Sequence, residues 1–281
     1  MLAKDGDLNL IERITSRHNP RIKKAIRLRS SRGRQVQGRI IVFGQREVER
    51  AIAAGVTFQE IYFHETESES AIRKIESSIR PNRTHLLQLD DRLFEKIAYG
   101  DRPDGIVGVA ERPVTRLEDI QIDDQPGGNG SLVLVVQAIE KPGNIGAIVR
   151  TADACGAIAV VCADPVTDVF HPNAIRSSTG TVFNVPIATG PSEDVQKWLR
   201  DNNFRVYTAM MEEAVDFFQA DLSGNVAIVL GNEANGLDSQ WRADDFIPVK
   251  LPMRGHADSL NVSVAASVMA YEAIRQRCFD R

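Results

Sequence analysis

The chain has 281 residues, with 34 Lys and Arg against 38 Asp and Glu, for a net charge of −4. That length exceeds one small domain, so two are expected. The longest apolar runs, such as LVLVV and VAIVL, are far too short to cross a bilayer, and MLAKDGDLNL lacks an apolar signal region, so neither a helical membrane protein nor a secreted one is expected. The three cysteines, Cys155, Cys162 and Cys278, form no CxxC pair and no ligand cluster with the five histidines. They read as free thiols of a reducing cytoplasm, and no metal site is expected.

The charge is unevenly spread. Residues 1–50 hold thirteen Lys and Arg against five Asp and Glu, a local +8 that leaves −12 for the rest. Clustered cations with few acidic partners are the electrostatic footprint of a phosphate-backbone binder. Arg21, Lys23, Lys24, Arg32 and Arg34 are therefore candidate RNA contacts. The competing reading of such a run is a solvated helix face.

In chain order, IKKAIRLRSSRGRQ predicts one basic helix ending in a Ser/Gly turn. GRIIVFGQREVERAIAAGVTFQEIYFH predicts a strand, a helix with Val48, Ala51 and Ile52 on one face, a stop at Gly55 and a second strand. Helical ESAIRKIESSIR, short LLQL, RLFEKIAYG and the strand GIVGVAE follow. These elements make a small α/β domain over residues 1–112. The Pro/Gly-rich stretch ending DDQPGGNG marks a linker over 113–130.

From Ser131 the pattern changes. Continuous apolar strands are expected in LVLVVQ, AIAVVCA, FRVYTAM, VAIVLGN and FIPVKL. Helices are expected near 144–155, 172–179, 192–202 and 260–277. Apolar strands alternating with helices predict a parallel sheet buried on both faces, with ligands at the strands' carboxyl ends. Three loops fall there: EKPGN, GNEANG and PMRGHADSLN. No GxGxxG and no GxxxxGK[ST] follows any strand, so dinucleotide and P-loop nucleotide binding are disfavoured. In LGNEANGL, residues 230–237, an ordinary Asn-Gly turn accounts for Asn235-Gly236 but gives no reason for Glu233. Asp258 or Ser259 is expected to cap the last helix. That helix is Ala-rich and apolar on several sides.

Together, NIGAIVRTADACGA, IVLGNEANGL and IPVKLPMRGHADSLNVSVAASVMAYEA resemble the three motifs of the SpoU/TrmH family of RNA ribose 2′-O-methyltransferases. HPNAIRSSTGTVFNVP is similar to that family's intervening segment. The resemblance spans about residues 131–277. It implies a knotted methyltransferase domain over 131–281: an α/β parallel-sheet SPOUT domain with a deep trefoil knot. It also implies S-adenosylmethionine as cofactor and a homodimer with the active site at the interface. The N-terminal half resembles the family's small α/β RNA-binding domain, similar to a ribosomal-protein fold. Many members have a Glu-Gly pair near its first helix, where this chain has Phe43-Gly44.

Carried over by position, the resemblance implies Asn144, Arg150, Glu233, Ser259 and Asn261 as catalytic residues. It implies Leu230, Gly231, Asn232, Gly236, Ile247, Leu251, Met253 and Leu260 around the cofactor. Arg176, Ser177 and Ser178 read equally as RNA or ribose contacts and as a helix end stopped at Gly180. A guanidinium is effectively always protonated. Arg150 is therefore expected to grip a phosphate and stabilise alkoxide charge at least as readily as to act as a base. An added N-terminal domain more often accompanies rRNA targets, so 23S rRNA is the favoured substrate and tRNA the alternative. A non-catalytic RNA-binding assembly factor is the reading from a different class. A nucleotide-dependent oxidoreductase is disfavoured by the missing fingerprint.

Overall fold

The computed structural model describes residues 11–79, 83–98, 105–122, 130–212 and 214–279. Two compact units are formed, one by Met1–Pro113 with Phe170–Phe183, the other by Val114–Val169 with Asn184–Arg281.

The first unit carries β1 (Glu12–Ile14), α1 (Pro20–Arg27), α2 (Ser31–Gln37), β2 (Arg39–Phe43), α3 (Gln45–Ala53), β3 (Phe58–His64), α4 (Glu69–Ser78), β4 (His85–Leu89), α5 (Asp91–Ile97) and β5 (Ile106–Glu111). Its sheet runs β1-β4-β3-β5-β2. β1, β4 and β3 are mutually parallel, while β5 runs antiparallel to both β3 and β2. Ile22, Leu28, Ile41, Tyr62, Leu87 and Phe94 are buried in one cluster.

The basic segment expected to form one helix forms two. Ser30 Oγ accepts a hydrogen bond from the Gly33 amide and caps α2, so the chain restarts instead of continuing α1. A Cβ at Gly33 would lie 1.9 Å from the Arg27 carbonyl oxygen, so only glycine lets the turn close this tightly. Strand β1 was not expected; three residues are too few to show a period.

The second unit carries β6 (Leu132–Gln137), α6 (Pro142–Cys155), β7 (Ala159–Ala163), β8 (Ile187–Gly190), α8 (Ser192–Asp201), β9 (Arg205–Ala209), β10 (Val215–Asp216), β11 (Val226–Leu230), β12 (Ile247–Lys250) and α9 (Val262–Phe279). α7 (Pro172–Ser177) lies in the chain between β7 and β8 but belongs to the first unit. Every pairing in the seven-stranded sheet is parallel, in the order β10-β12-β9-β11-β6-β7-β8. β6, β7 and β11 are buried along their whole length, as helices on both faces require. β8 and β10, of four and two residues, were not legible.

Part of the stretch expected as linker is built into this unit. Ile120 is 7% exposed in its core, with Leu117 and Ile122 packed against it. The Thr115 and Thr189 hydroxyls are 3.1 Å apart. Residues 123–129 lie outside those described.

The intervening segment likewise has an unexpected position. Two residues past α7, Thr179 has φ 53°, a costly conformation for a β-branched residue. The Arg50 guanidinium on α3 donates to the Thr179 carbonyl at 2.7 Å and to its hydroxyl at 2.8 Å, and holds it there.

Candidate active site

The sheet order fixes where a ligand can sit. From β6 the chain proceeds outward through β7 and β8, then returns to build the other side with β9, β11 and β12. Between β6 and β11 the direction of travel reverses, and in open parallel sheets the crevice at such a switch point is where ligands bind. The loops after β6 and β11 open at that point, and the segment from β12 to α9 joins them.

Their polar side chains meet. Asn144, in the first turn of α6, donates from Nδ2 to Glu233 Oε1. Its Oδ1 accepts from Asn261 Nδ2 at 3.4 Å. One amide thus ties together the three loops. Asn261 Oδ1 also accepts from the Ser263 amide at 3.0 Å and the Ser263 hydroxyl at 2.6 Å. The α9 cap is therefore Asn261, and not Asp258 or Ser259 as expected. The Asn carboxamide satisfies the free first-turn donors equally well and keeps its NH2 for Asn144.

Beside this cluster lies a cavity of about 650 Å³ lined by Leu230, Gly231, Asn232, Glu233, Gly236, Leu251, Met253, Ser259, Leu260 and Asn261. Met210, Val249 and Met269 complete its apolar wall, and Lys141, Arg242 and Lys250 reach its rim. The volume suits a small organic ligand held by apolar contacts with a few polar groups. The loop after β11 is tightly closed. Asn232 Oδ1 accepts from the amides of Ala234 and Asn235, and the Gly236 amide donates to the Asn232 carbonyl at 3.1 Å. A Cβ on Gly231 would fall 2.0 Å from the Gly236 carbonyl carbon. This is a backbone cradle that no side chain can enter.

Two residues assigned to the site lie apart from it. Ile247 pairs with Tyr207 inside the sheet and does not line the cavity. Arg150 is exposed on α6 and also outside the lining. It lies six residues beyond Asn144, which turns it about 240° around the helix. Its side chain makes no hydrogen bond or ion pair with another described residue.

Among the candidate RNA contacts, Arg34 is corrected. Its side chain is buried, and its Nη1 donates to the carbonyls of Leu28 and Arg29, both at 2.9 Å. It closes the turn between α1 and α2 and is unreachable by RNA. Arg21 is half-buried, with Glu12 at 2.7 Å and Glu60 at 3.7 Å. Lys23, Lys24 and Arg32 remain exposed, and Arg176 on α7 is half-buried.

Sequence reasoning missed the polar support beneath the site. Gln137, the last residue of β6, is 3% exposed. Its Oε1 accepts from the Asp238 amide at 3.1 Å, and its Nε2 donates to the Asp238 carboxylate. Asp164, after β7, accepts from the Ser192 amide at 3.0 Å and the Ser192 hydroxyl at 2.5 Å. Burial raises the Asp164 pKa, but the Ser192 and Gln137 hydrogen bonds outweigh it and hold the group below its ordinary value. The available signal was a Gln closing an otherwise apolar strand. Among the described residues no His/Cys/Asp/Glu group could hold a metal ion, and no helix is long and apolar enough to cross a membrane.

A parallel sheet whose loops meet at its switch point over a glycine-lined, largely apolar cavity defines a ligand-binding α/β domain. Residues 131–271 match the SpoU rRNA Methylase family, and residues 19–108 match the MRM3-like substrate binding domain. The chain belongs to the SpoU rRNA Methylase family. It is 31% identical, over 96% of its length and 94% of the relative's, to a 23S rRNA (uridine(2479)-2′-O)-methyltransferase of Streptomyces viridochromogenes. A crystal structure of an RNA 2′-O ribose methyltransferase is 35% identical with a TM-score of 0.78, covering 94% of this chain and 99% of that one. An AdoMet-bound rRNA methyltransferase from Sinorhizobium meliloti is 26% identical with a TM-score of 0.86, covering 96% and 99%.

Proposed function

We propose that the chain transfers a methyl group from S-adenosylmethionine to a ribose 2′-oxygen of RNA, with 23S rRNA as the substrate. The observation that carries this reading is the Asn144 amide, bonded to Glu233 and Asn261 beside the glycine-lined cavity. Family membership and the named activities of the relatives support it.

The residues present fit the cofactor. Leu230, Gly231, Asn232 and Gly236 offer backbone groups for an adenosine edge, and Leu251, Met253 and Leu260 offer apolar surface. The absence of a phosphate-cradling loop suits a cofactor without phosphate. When bound, S-adenosylmethionine supplies an electrophilic methyl on a sulfonium. The protein's own task is to hold the 2′-hydroxyl in line and to stabilise the charge that grows on its oxygen. Glu233, fixed by Asn144, accepts a ribose hydrogen bond, and Ser259 offers a second hydroxyl contact. The Arg150 guanidinium holds the neighbouring phosphate and steadies the developing alkoxide.

Arg150 acts on a second copy's cavity in a homodimer. Val264, Val268 and Tyr271 are 47, 37 and 53% exposed at spacings of four and three along α9, while Ala266, Met269, Ala270 and Ala273 are buried. A helix this apolar on its outer face is suited to a partner helix. In the same reading the segments after β11 and β12 form a deep trefoil knot. The first unit is an RNA-binding domain of ribosomal-protein type, the second is the methyltransferase domain, and the enzyme works in the cytoplasm.

The test is methyl transfer from labelled S-adenosylmethionine to rRNA and tRNA pools lacking the modification. Label in rRNA within alkali-resistant dinucleotides is the expected result. Label in tRNA alone overturns the substrate. No transfer to either pool overturns the enzyme reading in favour of an RNA-binding assembly factor. Mixing Arg150→Ala with Asn144→Ala protomers should restore part of the activity both variants lack, and no restoration would refute the shared site.

A further inference from the structure

Within the methyltransferase reading, on which this inference rests, the cofactor loop needs a fixed exit as well as a fixed entry. Its entry is β11, hydrogen-bonded on both sides by β6 and β9. Its exit is Asp238, whose carboxylate accepts from the amide and Nε2 of Gln240 in the turn that follows, and which is tied back to the sheet by the side chain of Gln137. Gln137 grips it with both ends of its amide, accepting from the Asp238 amide at 3.1 Å and donating to the Asp238 carboxylate. The same Nε2 lies 3.4 Å from Asp164 Oδ2, so one neutral NH2 sits between two carboxylates. The Ser192 hydroxyl, bonded to Asp164, accepts from Trp241 Nε1 at 3.2 Å. Trp241 is fully buried, three residues past Asp238, so this polar chain is anchored in the core of the unit.

We propose that Gln137 is a positioning residue for S-adenosylmethionine, fixing the exit of the loop 231–237 and so the shape of the backbone cradle that binds it. Gln137 does not line the cavity; it acts through Asp238. A carboxamide is the one side chain of this length that can accept from an amide and donate to a carboxylate while remaining uncharged. Glutamate would match its shape but place a third carboxylate beside Asp164 and Asp238. Glu193 and Asp194 in the first turn of α8 are also acidic, and the nearby cations are engaged elsewhere: Lys197 with Asp201, Arg200 with Asp245 and Arg242 with Glu212. Ser192, Gln240 and Trp241 do not titrate. A glutamate at this position is therefore neutral only in acid, where it regains a donor.

The experiment is calorimetric binding of S-adenosylmethionine to the full chain, wild type against Gln137→Leu and Gln137→Glu, from pH 5.5 to 8.5. Gln137→Leu should weaken binding on the order of tenfold, the loss of two hydrogen bonds of ordinary net strength. Its kcat at saturating cofactor should stay within about twofold. Gln137→Glu should be weakened about as much at pH 8.5 and return to within about twofold of wild type at pH 5.5, a ratio that a purely structural role would not move. Amide exchange at Asp238 should accelerate in Gln137→Leu at any pH and in Gln137→Glu only above neutrality. Should Gln137→Leu not fold, the near-isosteric Gln137→Glu still decides the matter. Wild-type affinity in either variant at pH 8.5, or a Gln137→Glu-to-wild-type ratio independent of pH, overturns the inference alone. A wild-type protein that binds no S-adenosylmethionine overturns the methyltransferase reading and this inference with it.

Discussion

Gly231→Ala isolates the backbone cradle from every other contribution. The added Cβ would lie 2.0 Å from the Gly236 carbonyl carbon, 2.2 Å from its oxygen and 2.2 Å from the Leu237 nitrogen. All three are backbone atoms, so no side chain can swing aside. Gly231 does not have positive φ, so the substitution carries no dihedral penalty to confuse the result. The loop must open by more than 1 Å, and overpacking of this kind costs about 1–3 kcal/mol. If bound cofactor requires the closed loop, that cost reappears in affinity as a roughly 5- to 150-fold weaker Kd. Calorimetry with S-adenosylmethionine measures it directly. Gly255→Ala is the control: no atom lies within 4 Å of its added Cβ, and affinity should not change. An unchanged Kd in Gly231→Ala, with a normal melting temperature, would refute the argument that the closed loop is the binding surface.

Other expectations follow from single contacts. Arg277 donates to the carbonyls of Gly130, Ser131, Leu222 and Gly224, and burial pulls its pKa down. Arg277→Ala should lower unfolding free energy by about 2–4 kcal/mol in urea melts, since it strips a charged donor from several carbonyls at once. In RNA binding, Lys23→Gln with Lys24→Gln should reduce the salt slope by about 1 to 2 units, while folded Arg34→Met should leave it unchanged and instead destabilise the first unit. The Ser223 hydroxyl and amide, with Arg205, hold Asp221 at a pKa of about 2. A folded-state value below the unfolded one stabilises above the ordinary carboxylate range. That contribution is lost as pH falls from near 4 towards 2. Asp221→Asn should therefore flatten the acid limb of stability against pH, measured by chemical denaturation.

The chain's own residue pattern determines much of this protein. Continuous apolar strands such as LVLVV and VAIVL, alternating with helices, leave a parallel sheet as the only way to bury both faces. The three motif loops fall at strand ends by counting alone, and Glu233 stands out there as a residue that turn chemistry does not explain, whereas Asn144 and Asn261 are marked only by the family resemblance. The charge of residues 1–50 separates a basic portion from an acidic remainder. Other features depended on contacts between residues far apart in the chain. Which cations stay exposed was one: Arg34 has the same charge as Lys23, but a turn between two short helices buries it. The division into units was another, because α7 joins the first unit through Arg50 and Thr179, 129 positions apart. The strand order, and with it the switch point between β6 and β11, follows from pairing that local periodicity does not encode. Gln137 meets Asp238 across 101 residues. Local sequence sets which face of an element is apolar, but only the closed fold sets which polar group finds which partner.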